Sequence, residues 1–586
     1  MNRINYLLII GLTFLFKSGT AQTFTLLKDI WPGTINSDPH IMARDSHGWI
    51  YFYAREKPHG NELWKSDGVI TKLIKDIKPG PADGNPNSLI VFNSLLYFVA
   101  DDGIHGAELW VSNGTPAGTI LLKDINPGAS SGCSEFSQLH IFNGAFYFYA
   151  SDGIHGNELW KSDGTIAGTF MLRDIYVGTG DSNINLPRFC TVGPTLFFAA
   201  TDGPASTVPG AHSEELWKTD GTFGGTKLVR NINTHTEALT ACGSQPTKLT
   251  NFNGKLIFDA MEYLDHEPWR SDGTIAGTVM LKDINPGWVA VPTVWPIGNS
   301  SYPNYFTVMG TNIYFSARYY PDGHELWKSD GSTAGTEMVK DIYPGGTPTI
   351  TGFHGFSSSP AELTVLDDKF YFSADNGSGR ELWVSDGTTA GTMLFEETNP
   401  DPTVGGNPEL LTRVNDKIYF RTDNGVSGVE LWSADGTPGG TMLVQDIEPG
   451  PVGSFPEQIF QTDSKIFVVV TTSPYGRELW VADISASRAT YVVKSKLPGG
   501  IFNNSAEIIT NPVENEINLN IRSTSIDKIK WQLIDNNGRV VRTGFFTIAP
   551  GTTLITENTG NLAAGNYLLR LDGKYLKQTL KVIRRP

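Results

Sequence analysis

Apolar residues along this chain fall in short runs, and the runs come in fours. One copy shows the order clearly. Gln138–Phe142 is the first run, followed by Asn143-Gly144. That pair suits a type I′ hairpin, in which both central residues take positive φ. Ala145–Ala150 is the second run and is rich in aromatic rings; a Ser-Asp-Gly-Ile-His-Gly turn follows it. Asn157–Lys161 is the third, closed by Ser-Asp-Gly-Thr, and Thr169–Ile175 is the fourth. Runs of this length bounded by Gly, Asn and Asp predict four antiparallel strands, a to d, with short connections. In strand c, Glu158 and Trp160 share one face and Leu159 points to the other. Both faces therefore carry large apolar groups, as a sheet packed on both sides requires.

The same unit recurs. Its core, Glu-Leu-Trp-x-x-Asp-Gly-Thr with small changes, is marked by Trp64, Trp110, Trp160, Trp217, Trp269, Trp327, Trp383, Trp432 and Trp480, spaced 46 to 58 residues apart. That spacing suits a four-stranded propeller blade. The expected fold is all-β: a large β-propeller of about eight or nine blades, followed by a small β-sandwich. Ring closure is open at this stage. Thr23–Ile30 reads as a strand d with no blade before it, able to complete the last blade, yet Tyr491–Lys496 is also a candidate for that place. The repeated motif resembles the ELWxxDGT-repeat proteins of Bacteroidetes-type bacteria over about residues 23–497. The resemblance implies extracellular repeat architecture and no particular activity.

After Pro498-Gly499-Gly500 the repeat stops. Ile517–Ile521 alternates apolar and polar residues, and Lys528–Arg542 reads as a hairpin around Asn536-Asn537-Gly538. Leu562–Arg570 and Gln578–Ile583 read as closing strands. The pieces NPVENEI, IDNNGRVV, LAAGNYLL and the final LKVIRRP resemble, as an ordered set, the type A sorting domain of the type IX secretion system. This resemblance implies a partner, the type IX machinery, and a secreted or outer-surface destination, with the domain often removed after export. The basic residues Lys574, Lys577, Lys581, Arg584 and Arg585 also read as a charged strand edge that discourages pairing. At the other end, Arg3 precedes the apolar run Tyr6–Phe16, and Gly19 and Ala21 fit cleavage positions. These are the parts of a secretory signal peptide. The expected organisation is a signal peptide over 1–21, a propeller over 22–499 and a sorting domain over 505–586. The apolar run is too short to span a bilayer, and no later stretch reaches that length, so no transmembrane helix is expected in the mature protein.

Composition sharpens this picture. Charged residues are only 18% of the chain, while Gly (63), Pro (34) and aromatics (11%) are plentiful, which suits strands and turns. A net charge of −16 argues against a nucleic-acid partner, which needs clustered Lys and Arg. Three cysteines, Cys133, Cys190 and Cys242, leave at least one thiol unpaired and read as small buried apolar groups.

The candidate chemistry is mostly repeated. The glutamate of the motif occurs in every unit, whereas an acid–base catalyst is needed once. It reads as an acceptor for backbone N–H groups. The Asp-Gly turns read likewise, with Asp accepting from the backbone two residues on. His59, His105, His155, His212, His266 and His324 fall in the b–c turns and read as turn hydrogen-bonding groups, too dispersed for one metal ion. No D-x-D-x-D-G loop is present, so weak calcium binding rests only on oxygen-rich turns. No catalytic residues, metal ligands or cofactor are assigned. Two irregular loops stand apart from the repeat. Gly287–Phe306 carries Trp288, Trp295, Tyr302 and Tyr305, and Gly345–Pro360 carries Phe353, His354 and Phe356. Their rings read either as a stacking platform for a glycan or surface protein, or as packing that plugs a wide channel. The favoured function is a non-catalytic binding or adhesion module; the alternative is a glycan-acting hydrolase or lyase, which needs unrepeated carboxylates converging in one pocket.

Overall fold

A computed structural model describes residues 22–484 apart from 135–137, 183–188, 205–211, 235–242, 290–296, 350–351 and 402. It also describes 505–584 apart from 509–515, 524–526, 536–538, 549–550, 559–564 and 573–575. The expected signal peptide, the Tyr491–Lys496 strand, Cys242, Asn536-Asn537-Gly538 and the Asn511-Pro512-Val513 opening lie outside these residues. The chain divides into two compact units, 1–485 and 486–586. Among the described residues no helix is long and apolar enough to cross a membrane.

In the first unit the described residues form nine four-stranded antiparallel sheets. The first runs His40–Arg44, Ile50–Glu56, Gly60–Ser66 and Thr71–Lys75. In the third blade the strands are His140–Phe142, Ala145–Ser151, Asn157–Ser162 and Phe170–Arg173, with Asn143 and Gly144 at φ 48° and 74°. Strand d slips register opposite Leu-Trp in blade after blade, for example between Leu159 and Trp160. Such a bulge increases twist.

Neighbouring blades share cores in cyclic order. Blades one and two meet through Leu63, Phe98 and Trp110, and blades eight and nine through Tyr419, Leu431 and Val468. Blades nine and one meet through Phe467, Leu479, Phe52 and Trp64. The marker tryptophan thus faces the preceding blade, and at Trp64, Trp110, Trp160, Trp269 and Trp327 a cation from that blade covers it. Lys75 lies 5.8 Å from the Trp110 ring centre and Lys282 lies 5.7 Å from that of Trp327. The ninth blade takes its fourth strand from the N-terminus: Thr25–Lys28 pairs antiparallel with Gly476–Asp483, Thr25 opposite Val481. Lys28 then sits 4.5 Å from the Trp64 ring centre of blade one, repeating the contact seen elsewhere.

The repeated glutamates fasten the blades internally. Glu158 is fully buried; its carboxylate accepts from Ile175 N at 2.7 Å and Tyr176 N at 3.1 Å. Glu108 accepts from Ile125 N, Asn126 N and Gly132 N. Each carboxylate therefore ties the d–a loop to the start of strand c. In blade nine the same role falls on N-terminal residues: Glu478 accepts from Trp31 N at 3.5 Å and Ser37 Oγ at 2.6 Å. Burial pushes Glu62 up to about 8, Glu158 to about 7 and Glu478 to about 7, against the opposing pull of the loop N–H groups. In the unfolded chain these groups lose their protons near 4.5. Between that value and the folded one the native state holds more protons, so this contribution to stability falls as pH rises. The melting temperature is expected to decline from about pH 5 to about pH 8, with a shallower decline in Glu158→Gln. Calorimetry across that range checks it; equal slopes in both proteins would contradict it.

The second unit holds sheets of three and four strands. Glu516–Ser523 lies between Ser505–Ile508 and Gly551–Asn558 in one; Asp527–Asp535 and Gly565–Asp572 form the centre of the other. Ile517, Leu519, Ile521, Ile529, Trp531, Leu533 and Leu569 fill the space between the two layers. This is the expected small β-sandwich.

Candidate functional site

Each d–a loop lies against the b–c turn of its own blade. Gly132 N donates to Ala107 O, and in blade three Ser182 N donates to Asn157 O. The contact is close enough to exclude a side chain: a Cβ on Gly156, at φ 72°, would stand 2.2 Å from Gly180 O. The b–c turns are also held locally. Nδ1 of His105 and of His155 lies 2.8 Å from Asp102 and Asp152, and His212 Nδ1 lies 2.9 Å from Asp202. Asp163 Oδ1 accepts from Thr165 N at 2.9 Å in the Asp-Gly turn. These histidines and aspartates are occupied in shaping turns. Cys133 and Cys190 are buried free thiols, and burial raises both above their ordinary range.

The loops then enter the next strand a through a conformation that recurs around the ring. Asp38, Asn85, Gln245, Tyr302, Ser359, Asn407 and Phe455 each precede a proline, and each takes positive φ, between 45° and 51°. Three residues later a bulge puts Ser88, Lys248, Tyr305, Glu362 and Leu410 at positive φ as well. Proline normally pushes the residue before it towards extended backbone, and bulky residues are rare at positive φ. The frame is thus constant while the residue displayed on it changes from blade to blade. The X-Pro signal is visible in the sequence, yet its recurrence is a feature that reading the two irregular loops alone misses.

Of the residues expected to bind, Tyr302 and Tyr305 are the two that this frame displays. They are 51% and 40% exposed, at φ 46° and 58°. Tyr302 stacks on His266 with ring centres 5.3 Å apart, and His266 Nδ1 lies 3.1 Å from Asp259. Tyr305 lines a shallow depression with Thr307, Glu362, Thr364 and Leu411 on the inner strands of blades six to eight. His354 is half-buried with its ring centre 5.3 Å from that of Tyr320, and Phe356 stacks on Tyr343 at 4.6 Å. Trp288 pairs through its backbone with Gly298, and Phe353 with Pro348; their side chains, and all of Trp295, lie outside the described residues. Tyr320 in the b–c turn of blade six meets both Asn285, just before the first irregular loop, and Gly355 of the second. Tyr320 N donates to Asn285 Oδ1 at 3.1 Å, and Gly355 N donates to Tyr320 O at 3.1 Å. Arg318 covers the Tyr320 ring at 4.2 Å. The arrangement is an open face of rings with polar edges, able to stack and hydrogen-bond.

One further group is not repeated. Asp265 stands two residues before Glu267 on strand c of blade five, and Asp283 opens the following loop. Their carboxylate oxygens lie within 4.8 Å of one another. Burial pushes Asp265 up to about 7 and Glu267 up to about 9, and raises Asp283.

Residues 507–585 match the family described as a secretion system C-terminal sorting domain. The chain is therefore exported, to the cell surface or the medium, through the type IX machinery. No curated protein matches the chain. Among solved structures, a puromycin hydrolase aligns at 14% identity and a TM-score of 0.32, over 67% of this chain and 60% of that one. A structure from a study of two prolyl endopeptidases aligns at 11% identity and a TM-score of 0.35, over 76% and 55%. Oligopeptidase B from Leishmania major aligns at 11% and 0.34, over 66% and 53%. The chain thus spans a little more than half the length of the structures it resembles.

Proposed function

We propose that this protein is a secreted ELWxxDGT-type repeat propeller that acts as a non-catalytic binding or adhesion module, engaging a glycan through the aromatic face of blades five to seven. The observation that carries the reading is the display of Tyr302 and Tyr305. Both residues stay about half exposed on backbone that most bulky residues avoid, and such strain is kept where surrounding structure holds it and function uses it. An exposed ring offers its π face to the C–H face of a sugar, and the neighbouring Arg318, His354 and Glu362 supply hydrogen-bonding edges. The shallow relief of the depression, and the occupation of the repeated carboxylates in loop fastening, favour binding over hydrolysis.

Tyr302→Asn with Tyr305→Asn is the informative variant. Asn85 and Asn407 already occupy the position of Tyr302 in blades two and eight at φ 47° and 51°, so Asn removes the ring without new strain. On a glycan array the wild-type mature chain is expected to bind a restricted set of glycans. The double variant is expected to lose about tenfold or more in affinity while melting at the same temperature. A Trp288→Ala/Trp295→Ala protein run beside it tests the rest of the first loop. Absence of binding to any glycan, or undiminished binding by the Tyr variant, overturns the reading.

A further inference from the structure

We propose that Asp265, Glu267 and Asp283 of blade five hold a divalent cation, calcium by preference. The inference starts from what the other blades carry. Two positions before the recurring glutamate seven blades have glycine; Ser213 and Asp265 are the exceptions. Glycine is required elsewhere because the turn leaves that residue at positive φ with the d–a loop against it, as at Gly156. Blade five is built differently. Its b–c connection shrinks to Tyr263-Leu264, both at positive φ (56° and 62°), joining Lys255–Glu262 directly to Asp265–Ser271. The strain moves into the two-residue turn, and the position before His266 is released for a side chain. An acidic residue fills it.

A carboxylate there is costly unless something compensates it. Asp265 is only 8% exposed, and its Oδ1 is buried without a hydrogen-bond partner. Glu267 is fully buried; its Oε2 already accepts from Ile284 N and Ser301 Oγ, while Oε1 accepts only from Ser301 N and keeps a lone pair for a further partner. Asp283 and Glu262 repel the Asp265 carboxylate and His266 opposes them, while Asp265 and Asp283 both repel Glu267. Three mutually repelling acids, one with an oxygen aimed at nothing, are what a cation would resolve. The spacing permits one ion: two oxygens each about 2.4 Å from a calcium ion lie no more than about 4.8 Å apart. The donors are all hard oxygens, which select calcium, magnesium or manganese over zinc or copper. The irregular, partly backbone-crowded setting suits the flexible shell of calcium better than the strict octahedron of magnesium. Asp283 is exposed and gives the ion a way in from solvent. Other blades keep the glutamate and the aspartate that opens the loop (Glu62 with Asp76, Glu108 with Asp124), so the third carboxylate singles out blade five.

The test uses the full mature chain, stripped with a chelator and titrated calorimetrically with calcium chloride. One site is expected with a dissociation constant of about 0.1–1 mM, the range of extracellular calcium modules. The melting temperature should rise with added calcium, and magnesium should bind more weakly. Asp283→Asn, an exposed and isosteric change, should fold like wild type without calcium and lose the site; Asp265→Asn should do the same. Failure to bind calcium, manganese or magnesium at about 10 mM, well above that range, overturns the proposal. So does calcium binding that both variants retain. Tighter binding of magnesium than calcium overturns the stated preference.

Discussion

Deletion of Gln22–Ile30 is expected to cost the propeller at least about 5 kcal/mol. The segment supplies strand d of blade nine, so the N-terminus completes the blade that ends the repeat array. Phe24 and Ile30 are almost completely buried, and each buried side chain of that kind contributes about 1.5–3 kcal/mol before the cavity left behind is counted. The segment also bonds across to blade eight, where Phe24 N donates to Gln445 Oε1 at 2.6 Å and Tyr419 Oη donates to Gln22 Oε1 at 2.6 Å. Its loss would remove the Ile30 N–H that Glu478 accepts from and leave the edge of blade nine bare. Phe24→Ala alone is expected to cost about 3–5 kcal/mol. Urea unfolding gives the midpoints, and limited proteolysis locates the opening, which should begin in blades nine and one. An unchanged midpoint after the deletion would mean that the ring does not depend on this strand.

Much of this arrangement is legible in the sequence because the repeat states it nine times. The Asn143-Gly144 hairpin, the Leu159/Trp160 alternation and the buried acceptor role of Glu158 all follow from residue type and spacing. The sandwich follows from alternation such as Ile517, Leu519 and Ile521. Closure is not legible: Thr23–Ile30 and Tyr491–Lys496 are equally strand-like, and only the pairing of Thr25 with Val481 distinguishes them. The site divides in the same way. Tyr302 and Tyr305 stand out as irregular aromatics, but sequence position does not reveal that they share a backbone frame with Asn85, Lys248 and Glu362. That frame depends on a bulge and a positive φ, which local propensity opposes. Asp265 is hidden because a one-residue departure from a glycine looks like ordinary drift. Its meaning emerges only when the shortened Tyr263-Leu264 turn, and the absence of a partner for its Oδ1, are seen together.

Truncation after Ile484 is expected to leave a folded propeller that no longer reaches the cell surface or medium. The two units have separate cores: Ile517, Trp531 and Leu569 pack within the sandwich, and every blade pair is closed by residues before 485. Removing the sandwich should therefore leave the melting profile of the propeller as it was. Export is another matter, because residues 507–585 are the part that matches a sorting domain. The truncation keeps residues 1–21, whose expected role as a signal peptide predicts delivery to the periplasm, and there the chain should stay. Fractionation of cells into periplasm, surface and medium, with the melting profile of the recovered protein, separates the two effects. Periplasmic retention with an unchanged profile supports a division of labour between a binding propeller and an export domain. Retention with a lost profile would show instead that the sandwich is needed for the propeller to fold, and undiminished export would place the sorting signal elsewhere in the chain.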